Sequence, residues 1–494
     1  MNLLILLAIP LLTALGVLFS KHSKGIRSVS LLGSFVQVVA VLIMYAAYMN
    51  ERISMNQATM LFEQHLKLFP SAAISFHIGV DGISVAMMIL TSLVVLAGVL
   101  VSWKIEKMTK EFFLLLQLLA LGAYGFFMSL DLMVLFFFLE IAVIPKYLLI
   151  AIWGSGKKEY AANKLALMLM LGSALVLIGI LGLYYASADQ GRTFDLMQLS
   201  AIKLSSKAQT IFFPFLFIGF GVFTALFPFH TWVPDGHSSA PTAGSMFLAG
   251  ISMKLGGYGL LRVATFLMPE GAREYANIII ILSAIAILYG AFATMMQKDL
   301  KYINAYSSIS HCGFVLLGIG MLTKTAVAGA VLQMFSHGLM TALFFAVIGM
   351  VYERTHTRMV GEMGGLLQSM PFIITVMFIA GLCSLGLPGF SGFVAEMTVF
   401  VGSWEQAGTL HRVATIAGAM SIVVTAVYIL RAIGKVAMGP LSENASTISD
   451  ATWNEKVAAI VLIVGIVAMG IYPSWLNELV KPATEIIMAQ LNRI

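Results

Sequence analysis

From its second residue to about residue 475, the chain returns repeatedly to apolar runs of about twenty residues separated by short polar turns. Such a run, wound as an α-helix, is long enough to cross the hydrocarbon core of a bilayer. Inside that core each helix satisfies its own backbone polar groups. Apolar residues make up 60% of the chain, charged residues 11%, and the mean hydropathy is +0.94. A soluble domain carries roughly 25% charged residues, so the composition excludes a soluble protein with a single anchor. No polar stretch is long enough for an independent domain. The expected fold is therefore one all-α polytopic membrane unit over residues 1–494.

The pattern predicts fourteen spans, at about 2–20, 29–49, 81–103, 112–129, 131–153, 163–186, 209–229, 240–266, 275–296, 303–322, 326–352, 371–402, 411–436 and 455–475. The first reads as a retained span rather than a signal peptide, because its positive charges (Lys21, Lys24, Arg27) follow it. Lysine and arginine concentrate in the loops after odd-numbered spans, as at Lys104, Lys107 and Lys110, Lys157 and Lys158, Lys298 and Lys301, and Arg354 and Arg358. By the positive-inside rule those loops face the cytoplasm, and both termini face outward. The tail LNELVKPATEIIMAQLNRI is expected to lie at the interface as a short helix. The net charge of +6 follows from this loop bias and does not call for nucleic acid.

Two spans are interrupted. Span seven, FGVFTALFPFHTWVPDGHSSAP, carries Pro228 and Pro234, and span twelve, CSLGLPGFSGFVAEM, carries Gly386, Pro388, Gly389 and Gly392. Proline removes a backbone donor and clashes with the preceding turn. Breaks at matching positions of two halves point to a transport site. The two lie five spans apart, which predicts two five-span repeats, spans four to eight and nine to thirteen. An odd number of spans per repeat forces one to be inverted. The expected division is 1–110 (N-terminal helices), 111–270 (first repeat), 271–437 (second repeat) and 438–494 (C-terminal helix and tail).

Glu140 and Lys146 sit in LEIAVIPKYLLIAIW, Lys254 in AGISMKLGGYGLL, and Glu396 in GFVAEMTVF. Each costs at least about 2.5–3.5 kcal/mol at the bilayer centre, so these positions suggest a path for charge. Gly250, Gly256 and Gly257 flank Lys254 and leave room for water or for close helix packing. For the lysines the competing reading is a long stem that carries the ammonium to an interface. His311 and His337 sit in apolar helices, where either a satisfied core histidine or a bridge between waters is consistent with the ring chemistry. His230 and His237 flank the span-seven break and read first as helix-end structure, second as part of an entry path. Asp235 reads as a cap or turn residue. Cys312 and Cys383 form no CxxC pair, no metal spacing is present, and there is no P-loop or GxGxxG fingerprint.

The blocks FFFLEIAVIPKYLLIAIWG, FHTWVPDGHSSAPTAGSMFLAGISMKLGGYGLLR, QKDLKYINAYSSISHCGF, LQMFSHGLMTALFFAVIGMVYERTHTR and LPGFSGFVAEMTVFVGSW resemble the antiporter-like subunits of proton-pumping NADH–quinone oxidoreductase, respiratory complex I. The resemblance covers nearly the whole chain in order. It is nearest to the subunits called M, or chain 4, through Glu396 on span twelve, YERTHTR after span eleven, and the stop after fourteen spans. It implies a proton-translocating membrane subunit with no redox chemistry of its own. NADH, flavin mononucleotide, iron–sulfur clusters and quinone would be bound by partner subunits, and antiporter-like neighbours would lie on both flanks in a bacterial plasma membrane. Related subunits of multisubunit Na⁺/H⁺ antiporters and membrane-bound hydrogenases are the alternative.

By that resemblance Glu140 modulates an adjacent lysine, Lys254 is the central proton carrier, His311 and His337 lie on the polar axis, and Glu396 leads to the exit. One departure is evident: where the family places a lysine on span seven, this chain has Phe223, and Lys146 appears instead on span five. Six helical residues put Lys146 about 9 Å along the axis from Glu140 and about 120° around it. The expectation is that Lys146 reaches toward the space near Phe223 and supplies the displaced ammonium; a lysine snorkelling from the end of span five is the competing reading.

Overall fold

The structure is a computed structural model describing residues 2–54, 60–440 and 448–492; Met1, Arg493 and Ile494, which fall within the expected first part and tail, lie outside the described residues. In chain order the elements are α1 (Leu4–Phe19), α2 (Ser23–Ser54), β1 (Leu61–Phe69), β2 (Ile74–Val80), α3 (Gly82–Val101), α4 (Thr109–Met128), α5 (Leu132–Trp153), α6 (Lys158–Ala186), α7 (Leu196–Ala201) and α8 (Ser206–Thr224). They continue with α9 (Trp232–Ser239), α10 (Thr242–Phe247), α11 (Met253–Gly259), α12 (Pro269–Met295), α13 (Leu300–Gly320), α14 (Lys324–Thr355) and α15 (Leu366–Ser369). The last are α16 (Pro371–Ser384), α17 (Ser391–Trp404), α18 (Thr409–Ala437), α19 (Trp453–Ile471) and α20 (Ser474–Leu491).

Every expected span has a helical counterpart. Among the described residues ten helices are long and apolar enough to cross a bilayer unbroken, and α1 and α16 are shorter apolar helices. Expected span seven is α8 followed, after a break, by α9; span twelve is α16 and α17. Span eight is α10 and α11 joined by π-helical turns at Leu248–Ser252 and Leu260–Thr265. The two repeats pack alike: α6 runs along α8 and α9, and α14 runs along α16 and α17.

The helices differ in what they face. The α14 window is buried along its whole length and α3 nearly so, whereas α2 and α18 turn most of their apolar surface outward. An apolar helix buried all round belongs to the centre of the bundle. Accordingly α14 packs on α3, α10, α13, α16, α17, α19 and α20. Outward-facing Leu12, Phe19, Leu32 and Leu167 supply apolar surface suited to lipid.

Aspartates fix where several helices begin. Asp81, Asp131, Asp195 and Asp299 accept backbone N–H groups at the starts of α3, α5, α7 and α13. Such a cap satisfies an otherwise orphaned donor and is worth about 0.5–2 kcal/mol. On the face bearing the basic loops, Arg358 pairs with Asp299 at 3.1 Å and Arg354 with Glu455 at 2.6 Å. Asp235 is neither cap nor turn: it lies inside α9 and binds Lys164 Nζ at 2.7 Å, because the short helix turns this carboxylate toward α6.

The opposite face, which carries both termini, holds the β1–β2 hairpin, α7 and α20 beyond the spans. The β1–β2 hairpin is antiparallel, with His65 opposite His77. Helix α20 lies across this face, where Arg52 donates to Glu478 O, Lys324 pairs with Glu485, and Gln490 Nε2 donates to Ser200 O at 2.7 Å. Its buried residues Leu476, Leu479, Val480, Ala483, Ile487 and Leu491 recur at helical spacing, so one stripe faces the bundle, mainly α3 and α14.

Candidate functional site

The buried site grows from the two interruptions and from α14. At the first break Ala225 has φ +67°, ending α8. At the second, Gly386 has φ +73° and Gly389 has φ +96°, values that glycine adopts without a Cβ penalty. A Cβ on Gly386 would stand 2.8 Å from Glu396 Oε2, so the turn folds back over that carboxylate. Broken helices at membrane depth are tolerated only where protein or water meets the freed backbone groups.

Lys254 sits on α11 between the two π-helical turns, and such turns occur frequently at functional sites. The neighbouring glycines serve close packing: a Cβ on Gly256 would lie 2.2 Å from Thr224 Oγ1 of α8. The Lys254 ammonium donates to Ala249 O and to His337 Nδ1, the latter at 2.8 Å. His337, on α14, faces His311 of α13 with ring centroids 5.3 Å apart. His311 Nδ1 lies 3.2 Å from Glu396 Oε1 on α17, and its Nε2 lies 3.0 Å from Ser384 Oγ on α16. Lys254, His337, His311 and Glu396 are each at most 3% exposed. Four residues from four helices thus form one buried row, joined by polar contacts at its ends and by facing rings in its middle, where His337 Nε2 has no hydrogen-bond partner among the described residues.

Glu140 and Lys146 are arranged differently. Glu140 is half-buried on the outward side of α5, between Phe137 and Ile144, each 60% exposed, and its Oε1 has no hydrogen-bond partner among the described residues. Lys146 points inward and is 1% exposed. Its Nζ also lacks a hydrogen-bond partner among the described residues and stands 5.9 Å from the centre of the Phe223 ring. The two charges therefore leave α5 on different sides, and the lysine occupies the space beside Phe223.

Arg262, Tyr258 and Lys301 are buried polar groups not singled out as such from sequence, whereas His237 and His230 were. Arg262 pairs with Asp81. Tyr258 places its hydroxyl 2.9 Å from Ser84 Oγ and donates to Phe127 O at 3.1 Å. Lys254, Tyr258 and Arg262 are four residues apart and share a helical face. Lys301 is buried and donates to Ala240 O at 2.7 Å, near the basic-loop face. His237 is fully buried on α9 with both ring nitrogens unpartnered among the described residues, and it lies within electrostatic reach of Lys254 and Lys301. His230, by contrast, stacks on Phe227 beside the break. A lysine or arginine at a span end reads as an anchor at water, so nothing in the sequence marks Lys301 as buried. Periodicity from Lys254 does point to Tyr258 and Arg262.

A broken-helix bundle with a buried lysine–histidine–glutamate line defines a class of ion-translocating membrane subunit. The family model described as NADH:quinone oxidoreductase/Mrp antiporter, TM, matches residues 129–421. NAD(P)H-quinone oxidoreductase chain 4 1 of Synechococcus elongatus is 35% identical over 98% of this chain and 91% of its own length. NADH-quinone oxidoreductase subunit M of Rickettsia bellii is 34% identical over 92% of this chain and 89% of its own length. Among solved structures, a chain of respiratory complex I from Thermus thermophilus with bound NADH superposes with TM-score 0.89 at 26% identity, covering 99% of this chain and all of that one. The chain belongs to the NADH:quinone oxidoreductase/Mrp antiporter membrane-subunit family.

Proposed function

We propose that the chain is the subunit called M, or chain 4, of a bacterial proton-pumping NADH–quinone oxidoreductase, and that it carries protons outward through Glu140, Lys146, Lys254, His337, His311 and Glu396. The observation that carries this reading is the row of buried side chains from Lys254 to Glu396, with polar contacts of 2.8 and 3.2 Å at its two ends and the facing rings of His337 and His311 between them. The ammonium of Lys254 donates to His337 Nδ1, which accepts. When that proton transfers, the ring's other nitrogen is free to release one toward His311. His311 Nδ1, when it carries a proton, donates to ionised Glu396 at 3.2 Å; when bare, it accepts from the protonated carboxyl. In free solution lysine holds its proton about 4 pKa units more tightly than histidine, or about 5 kcal/mol. Release therefore requires a change of nearby charge. Each proton moved outward works against about 2.3 kcal/mol per 100 mV.

Under this reading Glu140 supplies the link to a neighbour. A half-buried carboxylate between outward-facing Phe137 and Ile144 is costly against lipid, and an adjoining antiporter-like subunit on that flank would cover it. Such subunits lie on both flanks. Flavin mononucleotide, iron–sulfur clusters, NADH and quinone are held by partner subunits, whose quinone chemistry displaces charge along the axis. The basic loops face the cytoplasm and both termini face the periplasm, with the repeats divided at about residues 111, 271 and 438.

The test is purification of the chain from its native membrane. The proposal expects it in a complex containing flavin and iron–sulfur subunits, with NADH-driven proton pumping lost on its deletion. Recovery with small membrane proteins alone, and loss of Na⁺/H⁺ exchange on deletion, would establish the antiporter reading instead.

A further inference from the structure

A second cluster of chemically capable groups lies far from the buried line, on the face bearing both termini. His77 of β2 is held between two carboxylates: Glu63 Oε2 lies 3.0 Å from its Nε2, and Asp195 Oδ2 contacts its Nδ1. His65, paired across the hairpin with His77, places its ring edge-on at 5.1 Å. One ligand atom from each of His65, His77 and Asp195 can be chosen so that all three lie within 4.8 Å of one another. His77 is 6% and Asp195 5% exposed, while His65 is exposed. Sequence spacing showed none of this, because the three ligands come from β1, β2 and a connector more than a hundred residues later.

We propose that His65, His77 and Asp195 form a Zn²⁺ site with water as the fourth ligand. Imidazole and carboxylate suit this borderline ion, which takes four ligands at about 2.0–2.2 Å. Ligand atoms in such a tetrahedron stand about 3.3 Å apart, so the exposed His65 side chain swings inward to close the site. The other two ligands are anchored close by, Asp195 accepting Gln198 N at 2.9 Å as the cap of α7 and His77 O accepting Leu130 N at 2.8 Å, and their ligand atoms part from 2.5 Å to admit the ion. Loading exchanges the Asp195–His77 contact for two bonds to the metal. Glu63 keeps its hold on the far nitrogen of His77, the carboxylate–histidine–metal arrangement that orients a ligand ring. His65 is the entry side. The bound ion clips the hairpin to the connector ahead of α7. It does so beside Asp131, which caps α5 and accepts Ser75 N of the same hairpin at 2.8 Å.

The test is Zn²⁺ titration, against a chromogenic chelator, of the intact complex containing this chain, purified without a polyhistidine tag. His65→Ala removes an exposed side chain and leaves the buried contacts in place. The expected result is one Zn²⁺ more per complex in the parent than in His65→Ala at a concentration that fills the parent site. Glu63→Gln should weaken binding about 10–100-fold, and Lys67→Ala, on the same strand, should leave it unchanged. X-ray absorption at the zinc edge should show two imidazoles on the His65-dependent ion. Equal stoichiometry and affinity in parent and His65→Ala, with NADH oxidation intact in both, would overturn the site and leave the four residues as a hydrogen-bonded cluster. A zinc signal without two imidazoles would overturn the ligand set.

Discussion

On the side of the bundle built by α11, α13, α14 and α17, Lys254, His337, His311 and Glu396 face one another in sequence, each in reach of the next. On the side built by α5 and α8, Glu140 and Lys146 share a helix yet face apart, and neither orphaned atom has a partner among the described residues. The same family pattern thus appears in two physical states. In the first, four helices converge and bring the side chains face to face, with polar contacts at both ends of the row. In the second, an ammonium is delivered from α5 to a place beside the Phe223 ring, where a related chain would carry the lysine on α8. An aromatic face 5.9 Å away offsets part of the desolvation, since a cation over a desolvated ring gains about 2 kcal/mol or more. On the proposed function, the site is kept in space while it moves in sequence.

The largest effect is expected at the connected end. Glu396→Ala leaves His311 Nδ1 without its carboxylate, and leaving a buried polar group unsatisfied costs about 1–3 kcal/mol. Pumping per NADH should fall at least tenfold, read by acidification in vesicles, with a lower melting temperature of the complex. Full pumping would disconnect Glu396 from the line.

Lys146→Leu comes next and separates the two sides. It removes a buried, unpartnered ammonium, so the fold should be as stable or more so, while pumping drops several-fold. If pumping is unchanged, Lys146 is a passive buried lysine. The sharper form adds Phe223→Lys to Lys146→Leu, returning the cation to α8, and should restore most of the lost pumping. Phe223→Lys alone puts two ammonium groups in one site and should lower it. A double variant no better than Lys146→Leu would end the equivalence of the two positions.

Gly386→Ala is a smaller perturbation. A non-glycine residue in the left-handed region costs roughly 1–2 kcal/mol, and its Cβ would crowd Glu396 Oε2 at 2.8 Å. The melting temperature should fall and pumping should weaken partially. The smallest is Tyr258→Phe, which removes hydrogen bonds to Ser84 and Phe127 O, worth about 1 kcal/mol each, and should affect stability more than pumping.

Length and hydropathy made the spans legible, and Pro228, Gly386, Pro388 and Gly389 made the two breaks legible, because both follow from local backbone and solvent physics. Glu140, Lys254 and Glu396 stood out because charge in an apolar run is costly wherever it folds. The partners did not stand out: Lys254 meets His337 83 residues away, and no spacing rule joins residues on different helices. Asp235 was misread because a short polar helix looks like a turn until α6 is placed beside it. Residues 61–80 mix charge and apolar groups without a clean period, and the hairpin was invisible until Asp131 and Asp195 were seen to anchor it.

The account rests most on Lys254. The decisive measurement is proton pumping per NADH in membranes carrying Lys254→Ala, with assembly verified by purifying the intact complex. The account predicts an assembled complex in which both pumping and coupled NADH:quinone turnover collapse. Undiminished pumping per NADH in that complex would show that the proton does not pass through the buried lysine.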